Sequence, residues 1–473
     1  MDWRVKPLNL LLQQAQKKPL TRTLGAFQLT MLGVGAIIGT GIFVLAAVGA
    51  ERAGPGLLLS FMIAGFICIF AAMAYAELAA MVPVAGSAYT YSYAAMGELI
   101  AWLVGWNLIL EYAASAAAVA VGWSGYINGL LLSIGWELPV YLQYGGLDHH
   151  HPGGVINILA IGIVLAITGL LTLGTKESAI VNAILVCAKL VALCIFIALT
   201  LPQVSSFNLT PFMPYGFWST EIEGINRGVM AAAALIFFAY VGFDAVSTAA
   251  EETKNPNRNI PIGLIASISI CTIVYLLVIL GALGTTPFTQ LVGNSEPLAW
   301  VMRHLGYEKL GNILAIVAIF ALPTVIMIML YGQSRIFFVM SRDGLLPPIF
   351  SQLHARFNTP YLITIITGLV VATIAGFSSV AEIAELSNTG TLFAFAAVCI
   401  GVLILRVTQP DRPRPFRCPS VWIISCVALI GCAGLFFSLP VTAQLRFLIW
   451  SAIGLAIYLM YGYKRSPLAK NSI

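Results

Sequence analysis

Residues 33–43 read GVGAIIGTGIF and lie inside the first long apolar run of the 473-residue chain. Four glycines within nine residues disfavour a continuous helix, because each glycine costs ~1 kcal/mol relative to alanine. In a bilayer, an interrupted helix also frees backbone N–H and C=O groups that lipid cannot satisfy. Amide donors on one side of the break and carbonyl acceptors on the other suit a zwitterionic amino acid. The stretch therefore predicts a small binding site at mid-membrane; the structural alternative is close packing of helices through small residues.

The composition indicates the class of protein. Charged residues make up 9% of the chain and hydrophobic residues 59%, with a mean hydropathy of +0.93. So few charges cannot cover a soluble protein, and the composition predicts an all-α integral membrane protein. No cleavable signal peptide is recognisable, because the first 25 residues are polar and basic. The eight cysteines form no CxxC pair and predict buried apolar side chains without disulfides, metal or cofactor.

Twelve apolar runs of roughly 20 residues predict twelve transmembrane helices. They lie near residues 26–48, 57–82, 97–132, 155–174, 179–201, 226–250, 261–284, 312–341, 361–377, 385–406, 420–438 and 444–462. The connections between them are short, so no soluble domain is predicted.

Lysines and arginines are distributed unevenly between the two sides of these runs. Numbering the runs alternately places eighteen of the 24 basic residues on the side of both termini and five on the other side; Lys189 lies within a run. Because cytoplasmic loops are enriched in Lys and Arg, this asymmetry predicts a multi-pass protein of the cytoplasmic membrane with both termini cytoplasmic. It also explains the net charge of +5 without any nucleic-acid partner.

A second interrupted run appears five spans after the first. Residues 237–247 read FFAYVGFDAVS, again with a glycine and polar groups at mid-depth. Because five is odd, the first and sixth runs have opposite orientations. Interrupted helices at corresponding positions of two inverted halves are a sequence indicator of a transporter site.

Two ionisable residues lie deep within apolar runs, where charge is costly and usually functional. Lys189 is 13 residues from Lys176 at the cytoplasmic edge, which is roughly 20 Å along a helix. A buried amine of this kind is able to take up and release a proton during a transport cycle. Glu111 is predicted to pair with Lys189 or with another polar interior group, and a purely structural role for it remains open.

Four motifs resemble those of one known family. GAIIGTGIF at 35–43, PVAGSAYTYSY at 83–93, GFDAVSTAAEETKNP at 242–256 and YGQSRIFFVMSRDGLLP at 331–347 are similar to motifs of the amino acid–polyamine–organocation superfamily. Within it, they resemble most the bacterial relatives of the cationic amino acid transporter branch. The resemblance covers nearly all of the chain and implies the leucine-transporter fold, in which two inverted five-helix repeats are followed by two further helices.

This resemblance implies a division of the chain into five parts. They are a cytoplasmic N-terminal segment (1–25), a first repeat (26–201), a second repeat (226–406), helices 11 and 12 (420–462) and a cytoplasmic tail (463–473).

The resemblance also implies the roles of site residues. It assigns the substrate carboxylate to the amides around Gly39, Thr40 and Gly41, and the substrate amine to carbonyl groups of the two interrupted runs. Those carbonyls belong to Ile37, Phe238, Ala239 and Val241. Lys189 matches a family lysine that occupies the place of a sodium ion in sodium-coupled relatives, and Glu111 matches the family glutamate of the third span.

Two positions depart from the family pattern. Met329 matches a position in the side-chain pocket where a smaller or polar residue favours long cationic substrates; its apolar bulk argues against arginine or lysine. Pro323 lies in the eighth run, where a continuous helix is expected.

These observations favour a proton-coupled symporter for small or apolar L-amino acids, with the amino acid, H⁺ and the lipid bilayer as its partners. An amino acid exchanger and a transporter of arginine or lysine are the alternatives of the same class. A membrane amino acid sensor that does not transport is the alternative of a different class. An enzyme is not predicted, because no HExxH, GxSxG or suitably spaced carboxylate pair occurs. Protein partners are not predictable from the sequence.

Overall fold

The computed structural model describes residues 4–6, 24–82, 87–148, 151–174, 179–248, 253–354, 356–357 and 359–466. Most of the predicted N-terminal segment, the end of the predicted tail, and parts of the motifs at 83–93 and 242–256 lie outside these residues.

The described residues are mainly helical. The helices, numbered in chain order, are α1 (Ala26–Ile37), α2 (Thr40–Phe43), α3 (Leu45–Ala53), α4 (Leu57–Met81), α5 (Ser87–Ala95), α6 (Glu98–Ser133), α7 (Val140–Gln143), α8 (Ile158–Thr172), α9 (Ala179–Thr200), α10 (Val229–Ile236), α11 (Ala245–Thr248), α12 (Pro256–Thr285), α13 (Pro297–His304), α14 (Glu308–Arg342), α15 (Tyr361–Phe377), α16 (Val380–Thr408), α17 (Val421–Ser438), α18 (Val441–Ile457) and α19 (Tyr463–Arg465). Shorter 3₁₀ segments occupy Gly54–Gly56, Leu201–Gln203, Ser206–Leu209, Phe237–Tyr240, Phe288–Gln290 and Pro348–Ser351, and a π-helical turn occupies Tyr458–Gly462.

The helical class predicted from the sequence is confirmed, and each of the twelve apolar runs contains a helix or an interrupted helix. Among the described residues, eight helical segments are long and apolar enough to cross a membrane. Four apolar helices are shorter: α1, α8, α15 and the segment formed by α10 with the following 3₁₀ turn. Two of these four, α1 and α10, are the helices that the glycine-containing stretches interrupt.

One element differs from the purely helical prediction. Strands β1 (Thr220–Ile222) and β2 (Ile225–Arg227) form an antiparallel hairpin in the connection between the fifth and sixth runs. The two residues of its turn, Glu223 and Gly224, have φ angles of 55° and 77°, as a tight two-residue hairpin turn requires.

The long helix α6 lies at the centre of the molecule and is buried over most of its length, with an exposed C-terminal end. It packs against α14 and α16, while α12 packs against α1 and α4, and α15 packs against α8. Helices α17 and α18 lie at the periphery, and α18 is mostly exposed. Many of the exposed side chains on α15, α17 and α18 are large and apolar, among them Leu369, Ile430, Phe437 and Ile449. Such a surface suits contact with lipid and not with water.

Candidate functional site

The two glycine-containing stretches interrupt their helices as predicted. α1 ends at Ile37, the backbone is extended at Ile38 (ψ 93°), and the helix resumes at Thr40. In the second stretch, α10 passes into the 3₁₀ turn Phe237–Tyr240, and the backbone is extended at Val241 (ψ 138°). We refer to residues 38–39 as the first break and to residues 237–244 as the second break.

The two breaks are in direct contact through glycine. A Cβ atom added to Gly41, just after the first break, would lie 2.3 Å from Cα of Ala239. At Gly242, whose φ is +113°, an added Cβ would lie 2.9 Å from the carbonyl oxygen of Ala36. Neither position has room for a side chain, so glycine is what allows the two backbones to approach each other.

Two buried side chains donate hydrogen bonds to carbonyl groups at the breaks. The ammonium of Lys189 lies 3.2 Å from the carbonyl oxygen of Gly35 and 3.0 Å from that of Ile38. The hydroxyl of Tyr275, on α12, lies 2.9 Å from the carbonyl oxygen of Ile37. The same hydroxyl is 3.1 Å from the carbonyl oxygen of Ala239, in the second break. Backbone acceptors freed by the breaks are thus satisfied inside the protein, as a membrane interior demands.

A small cavity lined by buried residues lies where the breaks meet. It is lined by Ala36, Ile37, Gly39, Thr40, Gly41, Ser115, Val119, Phe238, Val241, Val325 and Met329. The cavity volume open to the centre of a water molecule is about 10 Å³, which is room for about one water molecule. The lining is apolar except for the backbone of the breaks and the hydroxyls of Thr40 and Ser115.

The structure brings most of the predicted substrate residues to this cavity. Seven of the eight line it. The eighth, Ala239, packs against Gly41 and directs its carbonyl to Tyr275. The Thr40 hydroxyl is buried and has no hydrogen-bond partner among the described residues, so a polar group remains open to a ligand at this point.

Glu111 and Lys189 occupy different surroundings. Glu111 is buried on α6, where its backbone carbonyl accepts a hydrogen bond from Ser387 of α16 (3.3 Å). Its Oε2 has no hydrogen-bond partner among the residues that the structure describes. One turn along α6, the Ser115 hydroxyl, which lines the cavity, lies 2.9 Å from that of Ser387. The backbone of Glu111 is therefore linked to the cavity-lining Ser115 through Ser387, whereas Lys189 contacts the first break directly.

Asp244 makes hydrogen bonds at the end of the second break, outside the cavity lining. Its carboxylate accepts hydrogen bonds from Tyr112 (2.9 Å) and Ser87 (3.4 Å). Its backbone carbonyl accepts from the hydroxyl of Ser247 at 2.6 Å. Asp244 is not among the residues that line the cavity, and these contacts fit a role in ordering the interrupted helix.

One buried ion pair lies on the predicted outer side of the cavity and another on the predicted inner side. On the predicted outer side, Arg52 at the end of α3 pairs with Glu385 of α16. On the predicted inner side, Lys6 lies 3.0 Å from Asp343, which also accepts from Tyr89 at 2.9 Å. These pairs join the interrupted first helix and the N-terminal segment to the surrounding helices.

Three consecutive histidines, His149, His150 and His151, lie in a loop that is predicted to be on the outer side. His149 and His150 lie outside the described residues, and His151 stacks on Tyr144 with its Nδ1 3.1 Å from Asp148. Within the described part of the chain, no group of three metal-type ligands occurs. In a neighbouring outer loop, burial raises the pKa of Glu296, and the adjacent Arg303 opposes that shift.

Sequence reasoning missed Tyr275, Val325 and Ala36 as parts of the site. Tyr275 is the one tyrosine in an apolar run that also contains Ser267 and Thr272. The spacing of residues within that run does not indicate which of these three side chains reaches the site, because the contact of Tyr275 depends on how α12 packs against both breaks. Val325 and Ala36 carry no chemical signal in the sequence at all.

Comparisons with known proteins give a consistent result. Residues 24–459 match the family model described as amino acid permease. The chain is 46% identical over 466 residues to a branched-chain amino acid permease of Bacillus subtilis (strain 168), covering 97% of each chain. It is 42% identical over 469 residues to a methylthioribose transporter of the same organism, covering 99% of each. A vacuolar cationic amino acid transporter of Arabidopsis thaliana is 37% identical over 394 residues, which are 83% of this chain and 64% of that protein.

Proposed function

Because this chain belongs to the amino acid permease family of the amino acid–polyamine–organocation superfamily, we propose that it is a proton-coupled symporter of apolar neutral L-amino acids. It acts in the cytoplasmic membrane by alternating access. The observation that carries the proposal is the meeting of two helix breaks at a buried cavity with a mainly apolar lining.

The substrate backbone binds to the breaks themselves. The carboxylate takes the amides around Gly39, Thr40 and Gly41, where the N-terminus of a resumed helix favours negative charge. The amine takes carbonyls of Ile37, Phe238, Ala239 and Val241. Because the cavity now has room for about one water, substrate entry requires the two breaks to separate, and the contact between Gly41 and Ala239 is the one that opens.

The side chain of the substrate points toward an apolar wall. Val119, Val325 and Met329 line the cavity and offer no charge to a cationic side chain, whose burial without a partner costs several kcal/mol. One relative is a branched-chain amino acid permease, which supports a branched aliphatic substrate. The other two relatives are a methylthioribose transporter and a cationic amino acid transporter. Methylthioribose and cationic amino acids are therefore the alternative substrates, and competition experiments distinguish them.

Lys189 carries the coupled proton. Its ammonium is within hydrogen-bond distance of the carbonyl of Gly35 in α1 and that of Ile38 in the first break, so a change in its protonation alters these two contacts. Glu111 responds to the same cycle through Ser387 and Ser115. An exchanger mode, in which Lys189 stays protonated throughout, is the alternative.

The membrane arrangement follows from the same elements. α1 contains 12 residues and is only ~18 Å long, so α1, α2 and α3 together make one crossing. Counting α10 with α11 in the same way gives twelve crossings, so both termini lie on the same side of the membrane. The uneven distribution of Lys and Arg supports the cytoplasmic side, and the family resemblance supports two inverted repeats of five spans followed by α17 and α18.

The test is uptake of labelled leucine into proteoliposomes, with and without an inwardly directed proton gradient. The gradient is expected to drive accumulation above the external concentration. Unlabelled valine, alanine, arginine and methylthioribose then compete against the label, and valine is expected to compete best. Exchange without gradient-driven accumulation would favour the exchanger, and leucine binding without transport would favour a sensor.

A further inference from the structure

Tyr275 lies between the two breaks with one hydroxyl hydrogen and two acceptors. Its oxygen is 2.9 Å from the carbonyl oxygen of Ile37 and 3.1 Å from that of Ala239. The side chain is fully buried, with an exposed fraction of 0%. The hydroxyl therefore connects the first interrupted helix to the second from a third helix, α12.

The ring of Tyr275 is held rigidly. Phe61 of α4 packs against it edge-on at 5.7 Å between ring centroids, and Tyr240 does so at 5.5 Å. Tyr240 in turn donates its own hydroxyl to the carbonyl of Phe61 at 2.9 Å. With its neighbours fixed in this way, the hydroxyl of Tyr275 has a defined position between the breaks.

The two carbonyls that Tyr275 contacts are among those that the proposed function assigns to the substrate amine. When the carrier closes without substrate, these acceptors are buried and need a donor. We propose that Tyr275 is a positioning residue that supplies this donor in the empty carrier, in place of the substrate ammonium. Its hydroxyl holds the two breaks together while the empty carrier changes orientation, and the ammonium displaces it when substrate binds.

This inference rests on the proposed function and makes a separate prediction from it. Net uptake requires the empty carrier to return, whereas exchange of internal for external substrate uses only the loaded carrier. A donor needed solely by the empty carrier therefore affects net uptake and not exchange. Because the hydroxyl also competes with the ammonium, its removal strengthens substrate binding.

The experiment compares wild type with Tyr275→Phe, which keeps the ring and removes the hydroxyl. Net leucine uptake is expected to fall about tenfold while leucine–leucine exchange changes less than about twofold, since a lost hydrogen bond is worth up to about a factor of ten. The Kd for leucine, measured by ligand-induced thermal stabilisation in detergent, is expected to fall severalfold.

Tyr126→Phe is the matched control. Tyr126 is equally buried, and its hydroxyl donates to the carbonyl of Phe43 at 2.8 Å, away from the contact between the breaks. This variant is expected to change net uptake and exchange by the same factor. The inference is overturned if Tyr275→Phe lowers both activities equally, lowers neither, or weakens leucine binding. If wild type binds no amino acid, the proposed function fails first, and that outcome is visible before any variant is compared.

Discussion

The indole nitrogen of Trp123 lies 2.8 Å from the carbonyl oxygen of Ile319, on the neighbouring helix. Ile319 is four residues before Pro323, which has no backbone N–H and leaves this carbonyl without its helical donor. Trp123 replaces the missing donor, and α14 continues without interruption through the proline. The proline that departs from the family pattern is therefore matched by a tryptophan on α6, four residues from Val119 in the cavity wall.

Removing the indole donor is expected to destabilise the protein, because Pro323 provides no backbone N–H for the Ile319 carbonyl. Trp123→Phe leaves the Ile319 carbonyl unpaired and should lower the free energy of unfolding by ~1–3 kcal/mol. In a Pro323→Ala background the backbone N–H at 323 supplies a donor again, so the same substitution should cost much less. The measurement is the midpoint of thermal unfolding in detergent for the four proteins of this cycle.

Trp218→Phe is the control for the loss of a tryptophan, because Trp218 is 71% exposed. It should leave the midpoint unchanged. If Trp123→Phe lowers the midpoint of thermal unfolding equally with and without Pro323, the indole acts by packing alone.

The sequence predicts the helices of this protein well, because a helix that crosses a bilayer requires a long apolar run, and such runs are recognisable in the sequence. It also predicts both breaks, since residues 33–43 and 237–247 place glycines where lipid would leave backbone groups unsatisfied. It does not predict which side chains of other helices satisfy those groups. Tyr275 and Trp123 act across helix–helix contacts whose geometry has no periodic signal in the chain.

The breaks show the same limit at the level of single residues. The family resemblance assigns the amide of Gly41 to the substrate carboxylate. The structure adds a reason within the protein, because Ala239 occupies the space that a Cβ would need.

Gly41 and Gly39 offer a test of that contact by a matched pair of substitutions. Gly41→Ala places a methyl group against the backbone of Ala239, where something must move, and overpacking of this kind typically costs ~1–3 kcal/mol. It should abolish uptake while leaving membrane insertion normal. Gly39→Ala makes ordinary contacts, 3.6 Å from the methyl groups of Val325 and 4.0 Å from the carbonyl oxygen of Ile37, so it should lose much less uptake than Gly41→Ala. Equal loss of uptake in both variants would argue against the close contact between the breaks.

Lys189 should determine whether uptake responds to a proton gradient. Lys189→Ala removes the ammonium that lies 3.0 Å from the Ile38 carbonyl, and with it the proposed proton-dependent contact with the first break. Leucine uptake by this variant is expected to be the same with and without the gradient, with substrate binding retained. Uptake into proteoliposomes at matched and unmatched internal pH measures it.

Lys309→Ala is the control for removal of a lysine, since Lys309 is exposed near the start of α14. Its uptake should respond to the gradient as wild type does. Full gradient-driven accumulation by Lys189→Ala would exclude Lys189 as the proton carrier and direct attention to Glu111.

Met329 should set the preference for apolar substrates. Its side chain is buried in the cavity wall, with an exposed fraction of 2%, and a thioether offers a cationic side chain no strong acceptor. Met329→Ser removes volume and adds a hydroxyl, so arginine and lysine should improve relative to alanine and leucine. Met327→Ser, two residues away and not among the cavity-lining residues, should leave the order of substrates unchanged. Competition of each unlabelled amino acid against labelled alanine measures the order for all three proteins. If wild type already prefers arginine, the side-chain wall is assigned incorrectly, and Glu111, whose Oε2 is buried without a hydrogen-bond partner among the described residues, becomes the candidate partner for the cation.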